Sequence, residues 1–403
     1  MIPFARMIKY GQLRNAVIIK KYYRSSLTGA AIDNNNGLWY LGYNAYGGAG
    51  DGTTSADYTN WKFIRNDVTN YWTNGGSGTS VIRTIDGKIY WCGNNAWLIG
   101  SSNGTVNTSW SEITFLSNKD IRNMQIGPNY IIAQIGTELY AFGVNAGGIF
   151  NGTSVVANGA ALNTWTRISS TYNVKHFSVS SQQCYIVTTA NVFIGCGTNS
   201  SNCLSTTGLN NVLSWVTVLS SVSTFDDSSY PYKGMLNANI SYSSGVYGRG
   251  SGTNNQFGNN STATLTAHTS LNSYWPNYSN INKLSFSGSD SGGSANCLYV
   301  VGTGSNTQIY AMGGQSYGEL GVGDQVIKST PVLVPISIDE DEIVIGIMHS
   351  YGNSTTLYTN KRVLSCGRTF NGAAYVNVLT FMEQSIIPSD WIFDFDIDMQ
   401  PWN

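Results

Sequence analysis

The stretch IYAMGGQSYGELGVGD, Ile309–Asp324, decides how the rest of the chain is read. An apolar run closes on Gly313, an amide side chain follows two residues later at Gln315, and Gly318 marks a turn. Moving outward, the same run recurs as LWYLG, IYWCG, LYAFG, FIGCG, VYGRG and VLSCG, ending at Gly42, Gly93, Gly143, Gly197, Gly250 and Gly367. With Gly313 in its place, the spacings are 51, 50, 54, 53, 63 and 54 residues. Seven copies fill the chain, and a fixed period of this size marks a repeat architecture. Asn44, Asn95, Asn145 and Asn199 occupy the place of Gln315, and Gly47, Gly100 and Gly147 mark the turn that follows. An aromatic residue opens a further strand 17–25 residues past the anchor at Trp61, Trp110, Trp165, Trp215 and Trp275; Pro331-Val332 and Phe381 take that role in copies six and seven.

Each copy reads as a strand such as VIRTI, a turn such as Asp86-Gly87, the apolar anchor strand, a long Asn/Gly loop and an outer strand such as the one at WSEI. Gly, Asn and Asp supply the positive φ these turns need. Helical periodicity is nearly absent, so the chain is all-β. The anchor strands are nonpolar on both faces, which demands cover on both sides, as in a ring of stacked blades. The residue two before the anchor is mostly small (Ala141, Gly195, Gly248, Ala311, Ser365), as crowding around an axis would require; Tyr40 and Trp91 depart from this. A seven-bladed β-propeller over residues 27–403 is expected, with residues 1–26 as a basic N-terminal extension. The C-terminal strand WIFDFDID (Trp391–Asp398) lacks a partner in its own copy, so the N-terminal SLTGAAIDNNNGLWYLG is expected to pair with it, completing the last blade and removing two open sheet edges.

The combined pattern, G-x-x-Y-x-x-G-x-N-x-x-G followed by a Trp or Pro strand opener, resembles the regulator of chromosome condensation repeat family over roughly residues 27–398. Gly314–Asp324 with Pro331 is the copy most like the family pattern. The resemblance implies a seven-bladed propeller. It also implies a choice of activities, since the family includes a chromatin-bound nucleotide exchange factor for a small GTPase as well as ubiquitin-pathway scaffolds and interaction modules. The family's His-Thr/Ser pair is replaced in most copies, as in SSLTGAAI, GTSVIRTI and PNYIIAQI, so no functional residue carries over.

At 403 residues the chain exceeds one ordinary compact core, in keeping with a repeat array. Its 21 Lys+Arg against 22 Asp+Glu leave no basic footprint for a nucleic acid. Forty-three Asn, 47 Ser and 36 Thr make a surface that is solvated with few charges. No apolar run is long enough to span a membrane, and the N-terminus lacks the apolar core of a secretion signal, so membrane insertion and signal-directed secretion are not expected. Six cysteines without a CxxC pair read as free buried thiols; Cys92, Cys196 and Cys366 share the position just before the anchor and read as packing residues.

No catalytic, metal or cofactor site is expected. Ser289–Gly293 (SDSGG) and the segment around His268 echo serine-protease loops, but only 23 residues separate His268 from Ser291 and both lie in the loops of the longest copy. His176, His268 and His349 are scattered, and Asp339–Glu342 reads as a solvated hairpin tip. The Gly-rich GSGTNNQFG and GGSGTS lack the Lys-Ser/Thr of a phosphate loop. Tyr43, Tyr46, Trp97 and Phe150 follow anchor strands and are the candidate interaction rim, open to protein contact, to sugar stacking, or to plugging the gaps between blades. Arg6, Lys9, Arg14, Lys20, Lys21 and Arg24 form the candidate docking arm. Low charge, a polar uncharged surface, irregular repeats and no secretion signal together read as a non-enzymatic structural protein of a tailed-bacteriophage virion. It would be made in the host cytoplasm and sit in the tail, baseplate, collar or capsid decoration, contacting other virion proteins through the arm. Two alternatives stay open: a module binding a host-surface glycan or receptor, and an exchange-factor-like propeller.

Overall fold

The computed structural model describes residues 16–24, 28–54, 57–73, 78–94, 106–127, 129–150, 160–169, 171–179, 182–199, 201–204, 208, 211–222, 232–235, 238–242, 245–287, 295–350, 354–370, 375–383 and 387–395. These form seven sheets, antiparallel throughout but for one parallel pair in the first. Blade 1 holds β1 (Val17–Arg24), β2 (Thr28–Asp33), β3 (Leu38–Gly42) and β4 (Tyr58–Arg65); blade 2 holds β5 (Val68–Thr73), β6 (Ser80–Thr84), β7 (Ile89–Asn94) and β8 (Val106–Glu112). Blade 3 holds β9 (Ile121–Ile126), β10 (Tyr130–Ile135), β11 (Glu138–Val144) and β12 (Ala161–Arg167); blade 4 holds β13 (Val174–Val179), β14 (Gln183–Thr188), β15 (Phe193–Gly197) and β16 (Val212–Leu219). Blade 5 holds β17 (Tyr232–Met235), β18 (Ala238–Tyr242), β19 (Val246–Gly250) and β20 (Leu265–Ser270); blade 6 holds β21 (Ile281–Ser287), β22 (Asn296–Val301), β23 (Gln308–Gly313) and β24 (Lys328–Leu333). Blade 7 holds β25 (Val344–Ser350), β26 (Ser354–Thr359), β27 (Val363–Phe370) and β28 (Tyr375–Glu383), and β29 (Trp391–Phe393) follows.

First strands of neighbouring blades approach one another, as β21 does β25 and β17 does β21, whereas fourth strands such as β4 and β20 alternate partly buried and exposed positions. The first strand is therefore innermost and the fourth outermost. Second strands, covered on both faces, are buried along their length in β2, β14, β22 and β26. Burial on two faces is what a stack of sheets offers and a lone sheet does not. The seven-bladed all-β expectation holds.

The repeat glycine stands opposite a bulge in the fourth strand, where four residues span two of the anchor strand. In all seven blades the register between the third and fourth strands shifts between the second residue before the glycine and the glycine itself. The seven glycines have φ between 86° and 113°, and a Cβ on Gly313 would stand 2.5 Å from the Ala295 carbonyl oxygen. Only glycine fits both constraints. The anchor strand is thus the third from the axis.

The chain ends do meet, in a different way from the one the sequence suggested. Blade 7 is complete in four strands of its own copy. β29 instead pairs in parallel with β1, Val17 opposite Trp391 and Ile19 opposite Phe393, and makes the sheet of blade 1 five-stranded. Residues 17–24, which the sequence reading gives to the extension, are the first strand of blade 1, lying between β29 and β2; their alternation in VIIKKYYR is blurred because Tyr22 and Tyr23 are both buried. Trp391 lies 4.7 Å from the Trp61 ring and 5.8 Å from that of Trp39, and Tyr22 and Phe393 meet edge to face, joining blades 7 and 1 in one apolar cluster.

Candidate functional site

Among the described residues, the loops that leave the anchor glycines lie at one end of the sheets, and buried amides set their shape. Two residues past the glycine, the side-chain oxygen of Asn44, Asn145, Asn199 and Gln315 accepts the backbone N–H five residues further on, from Ala49 (2.9 Å), Phe150 (2.8 Å), Leu204 (2.8 Å) and Leu320 (3.3 Å). The amide nitrogen of Asn199 donates to the Gly208 carbonyl and that of Gln315 to the Val326 carbonyl, fastening the far side of the loop. A buried amide satisfied at both ends fixes the loop backbone without help from solvent.

The residue this hydrogen bond holds is the plug. Ala49, Phe150, Leu204 and Leu320 each sit seven positions past their glycine, as does Phe257 in blade 5, and all are buried. Their size complements the residue two before the glycine. A Cβ on Gly195 would stand 2.6 Å from Leu204, and one on Gly248 would stand 2.8 Å from Phe257. Where that residue is the large Tyr40, the plug shrinks to Ala49. The small residues before the anchors therefore answer to their own loops, which corrects the axis-crowding reading. The same pairing explains the departure of Tyr40.

Adjacent blades are tied at the same level. The thiols of Cys92, Cys196 and Cys366 donate to the carbonyls of Gly48, Ile149 and Glu319 in the preceding blade's loop. All six cysteines are free and buried, and burial pushes the Cys92, Cys196-neighbouring Cys184, Cys297 and Cys366 thiols well above their ordinary range. Isolated bridges carry the loops of blades 1 and 6 onto the next blade's outer strand, Asp51 to Ser109 and Val322 to Thr380. Glu319 is buried under the blade 6 loop, with Oε2 accepting the N–H groups of Ser316 (3.0 Å) and Tyr317 (2.7 Å).

The candidate rim residues separate on this frame. Tyr43 and Tyr46 meet with centroids 5.6 Å apart, and Tyr46, 37 % exposed, lies over Gly78 of blade 2. Phe150 is fully buried as a plug, edge to face with Tyr130, so it is removed from the rim. Trp97 lies outside the described residues, as do Arg6, Lys9 and Arg14 and the Ser289–Gly293 segment. Of the arm, Lys20 is exposed on β1 and the Lys21 ammonium donates to the Thr69 carbonyl of blade 2 at 2.8 Å; Arg24 ends β1.

Beside the tyrosines, the Asp51 carboxylate accepts from Tyr58, Thr53 and Lys62. Burial raises its pKa, but hydrogen bonds from Lys62, Tyr58 and Thr53 outweigh this and bring it down to about 2. Blade 6 repeats the device with Asp324, held by Lys328 at 2.7 Å. The expected solvated tip Asp339–Glu342 is partly an ion-pair network: the Glu342 side chain is buried against Arg362 (2.8 Å), while Lys361 bridges Asp339 and Asp341. A second correction concerns the strand openers. Trp61, Trp110, Trp165 and Trp215 stand inside their outer strands, and Trp275 lies past β20, where its indole donates to the Phe257 carbonyl at 2.9 Å. Among the described residues, no three of His, Cys, Asp and Glu gather as a metal would need.

This arrangement defines a class, the seven-bladed β-propeller with amide-fastened loops. No family model and no curated protein matches the chain. Solved structures do share its fold. A human structure, WBSCR16, matches with TM-score 0.62 and 14 % identity over 82 % of this chain and 86 % of that one. Yeast RCC1 (Prp20) bound to Kap60 matches with TM-score 0.60 and 15 % identity, covering 83 % and 78 %. Prp20p from Saccharomyces cerevisiae, described with its binding to Gsp1p and histones, matches with TM-score 0.60 and 14 % identity, covering 89 % and 83 %.

Proposed function

We propose that the chain is a non-enzymatic interaction platform of the RCC1 type that docks protein partners on its loop rim, and that it serves as a structural component of a tailed-phage virion. The observation that carries the docking role is the rim itself, where buried amides hold successive loops rigid and leave Tyr43 and Tyr46 at the surface. Preformed loops lose little freedom on binding, and tyrosine offers a large face at low entropic cost. The virion reading rests on composition, with few charges and a surface rich in Asn, Ser and Thr. Arg6, Lys9, Arg14 and the exposed Lys20 would face the neighbouring virion protein.

Purification from the native source followed by electron microscopy tests the placement: regularly spaced copies on a particle support it, and a free monomer absent from any assembly overturns it. For the rim, Tyr46→Ala should weaken capture of the co-purifying protein about tenfold without lowering thermal stability by more than a degree or two, the loss expected of an aromatic anchor. If a glycan array rather than a protein responds to Tyr46→Ala and Trp97→Ala, the receptor-binding alternative takes its place. A second reading is favoured by the shared fold with Prp20p, which is described as binding Gsp1p. Exchange on a small GTPase is decided by nucleotide release from a labelled GTPase, with acceleration by the purified chain supporting it.

A further inference from the structure

Adjacent blades meet through apolar side chains from both sides at the junctions 1–2, 2–3, 3–4, 5–6, 6–7 and 7–1. The junction between blades 4 and 5 differs. Its apolar cluster, built on Tyr185, Phe193, Leu204 and Val218, draws among the described residues on blade 4 alone. Blade 5 answers with Asn239, Ser241 and Arg249, all buried, while Ile240 between them turns to blade 6. Asn239 pairs with Arg249 across β18 and β19, so these polar groups share one face.

Arg249 stands in the position before the anchor glycine, where other blades carry Leu41, Cys92, Phe142, Cys196, Met312 and Cys366. In place of a thiol donating to one carbonyl, its Nε donates to the Asn202 carbonyl at 2.6 Å, and the Asn239 amide takes the Cys203 carbonyl at 2.7 Å. Arg249 is 5 % exposed, yet among the described residues its Nη2 has no partner, and neither do the Ser241 hydroxyl and the Asn239 side-chain oxygen. Nor does a carboxylate face it among the described residues: its electrostatic neighbours are Cys203 and Tyr185, both neutral at pH 7, and His268. His268 is itself held neutral, its pKa lowered to about 4 by burial and then by Arg249. A buried cation with an unfilled donor is costly unless an anion completes it.

We propose that the junction of blades 4 and 5 binds one oxyanion, a carboxylate or phosphate group that carries an adjacent O–H or N–H. The guanidinium and the Ser241 hydroxyl would meet the oxyanion, and the Asn239 oxygen would accept the adjacent donor. The chemistry fits a free small acid, and equally an aspartate of a partner chain whose own backbone N–H is the donor. This inference stands apart from the docking role of the rim.

The test is thermal unfolding of the full chain at constant ionic strength, with sodium chloride replaced in turn by phosphate, by acetate or by the blocked peptide acetyl-Gly-Asp-Gly-amide. A ligand of the folded state raises the midpoint as its concentration passes its Kd. The expected result is a rise of about 3 °C in at least one of the three, absent in Arg249→Met and reduced in Ser241→Ala. Phosphate or acetate acting alone identifies a free anion, and the peptide acting alone identifies a partner's acid. If Arg249→Met does not fold, Ser241→Ala and Arg249→Lys carry the test, each weakening the response several-fold. An unresponsive wild-type chain, or equal responses in wild type and all variants, overturns the proposal.

Discussion

Blades 1 and 4 solve one packing problem by opposite means. Each has a glycine opposite a bulge in the outer strand, an asparagine two residues on, and a loop folded back so that a plug lies over the anchor strand. In blade 4 the strand recedes to Gly195 and the loop advances with Leu204; in blade 1 the strand advances with Tyr40 and the loop recedes to Ala49. The backbone and its hydrogen bonds stay constant while bulk moves from one side of the contact to the other. Total volume at the contact, rather than either residue, is what close packing constrains.

The largest effects should come from removing the bulk wherever it resides. Tyr40→Ala is expected to cost about 4 kcal/mol in blade 1 and Leu204→Ala about 3 kcal/mol in blade 4, read from denaturant unfolding. If Tyr40→Ala is mild, the blade 1 loop is not supported as described. The shared frame is next: Gly197→Ala places a methyl group against the Gln182 carbonyl at a φ of 113°, for an expected loss of about 3 kcal/mol. Gly136→Ala is its control, at φ 57° in open space, with an expected loss of about 1 kcal/mol.

Asn44→Ala and Asn199→Ala leave the buried N–H groups of Ala49 and Leu204 unpaired, and each should cost about 2 kcal/mol. Equal losses in the two blades would sharpen the view that the frame is common. A double-mutant cycle then probes the exchange of bulk. Ala49→Leu should overpack beneath Tyr40, yet recover about 1 kcal/mol when combined with Tyr40→Gly; additivity would sink the complementarity. The smallest expected effect concerns Asp51. Its folded pKa is depressed, so its contribution is present above the ordinary carboxylate range and is lost as pH falls toward about 2. Lys62→Met should flatten that acid limb by lowering stability a little near pH 8 while leaving the acid end unchanged, the loss kept small because the Lys62 side chain is exposed.

The repeat glycines, the amides after them and the blade number are legible in sequence because each is imposed locally, by a positive φ or by a loop's own hydrogen bond. The aligned cysteines are legible for the same reason. Phe150 stays open between rim and plug in the sequence because a large aromatic in a polar loop reads alike whether it faces solvent or fills a gap; its alignment with Leu204, Phe257 and Leu320 separates the two. The pairing of Tyr40 with Ala49 spans the anchor and appears only when both columns are compared. β29 was assigned to the wrong blade because a strand's partner is a long-range choice, and WIFDFDID carries no mark of register. Arg249 stands out in the column before the anchor, but its burial among Asn239, Ser241 and Asn202 depends on how two blades meet.

The parallel seating of Trp391–Phe393 against Val17–Ile19 orders events during synthesis. Blade 1 leaves the ribosome before the other six blades, yet its fifth strand emerges more than 360 residues after β1. Until then the edge of β1 is open, Trp39 and Trp61 lack the indole they close upon, and Tyr22 lacks the Phe393 ring. The circle is sealed only after all seven blades have been made, so the assembly of the whole ring waits on the short strand at Trp391–Phe393.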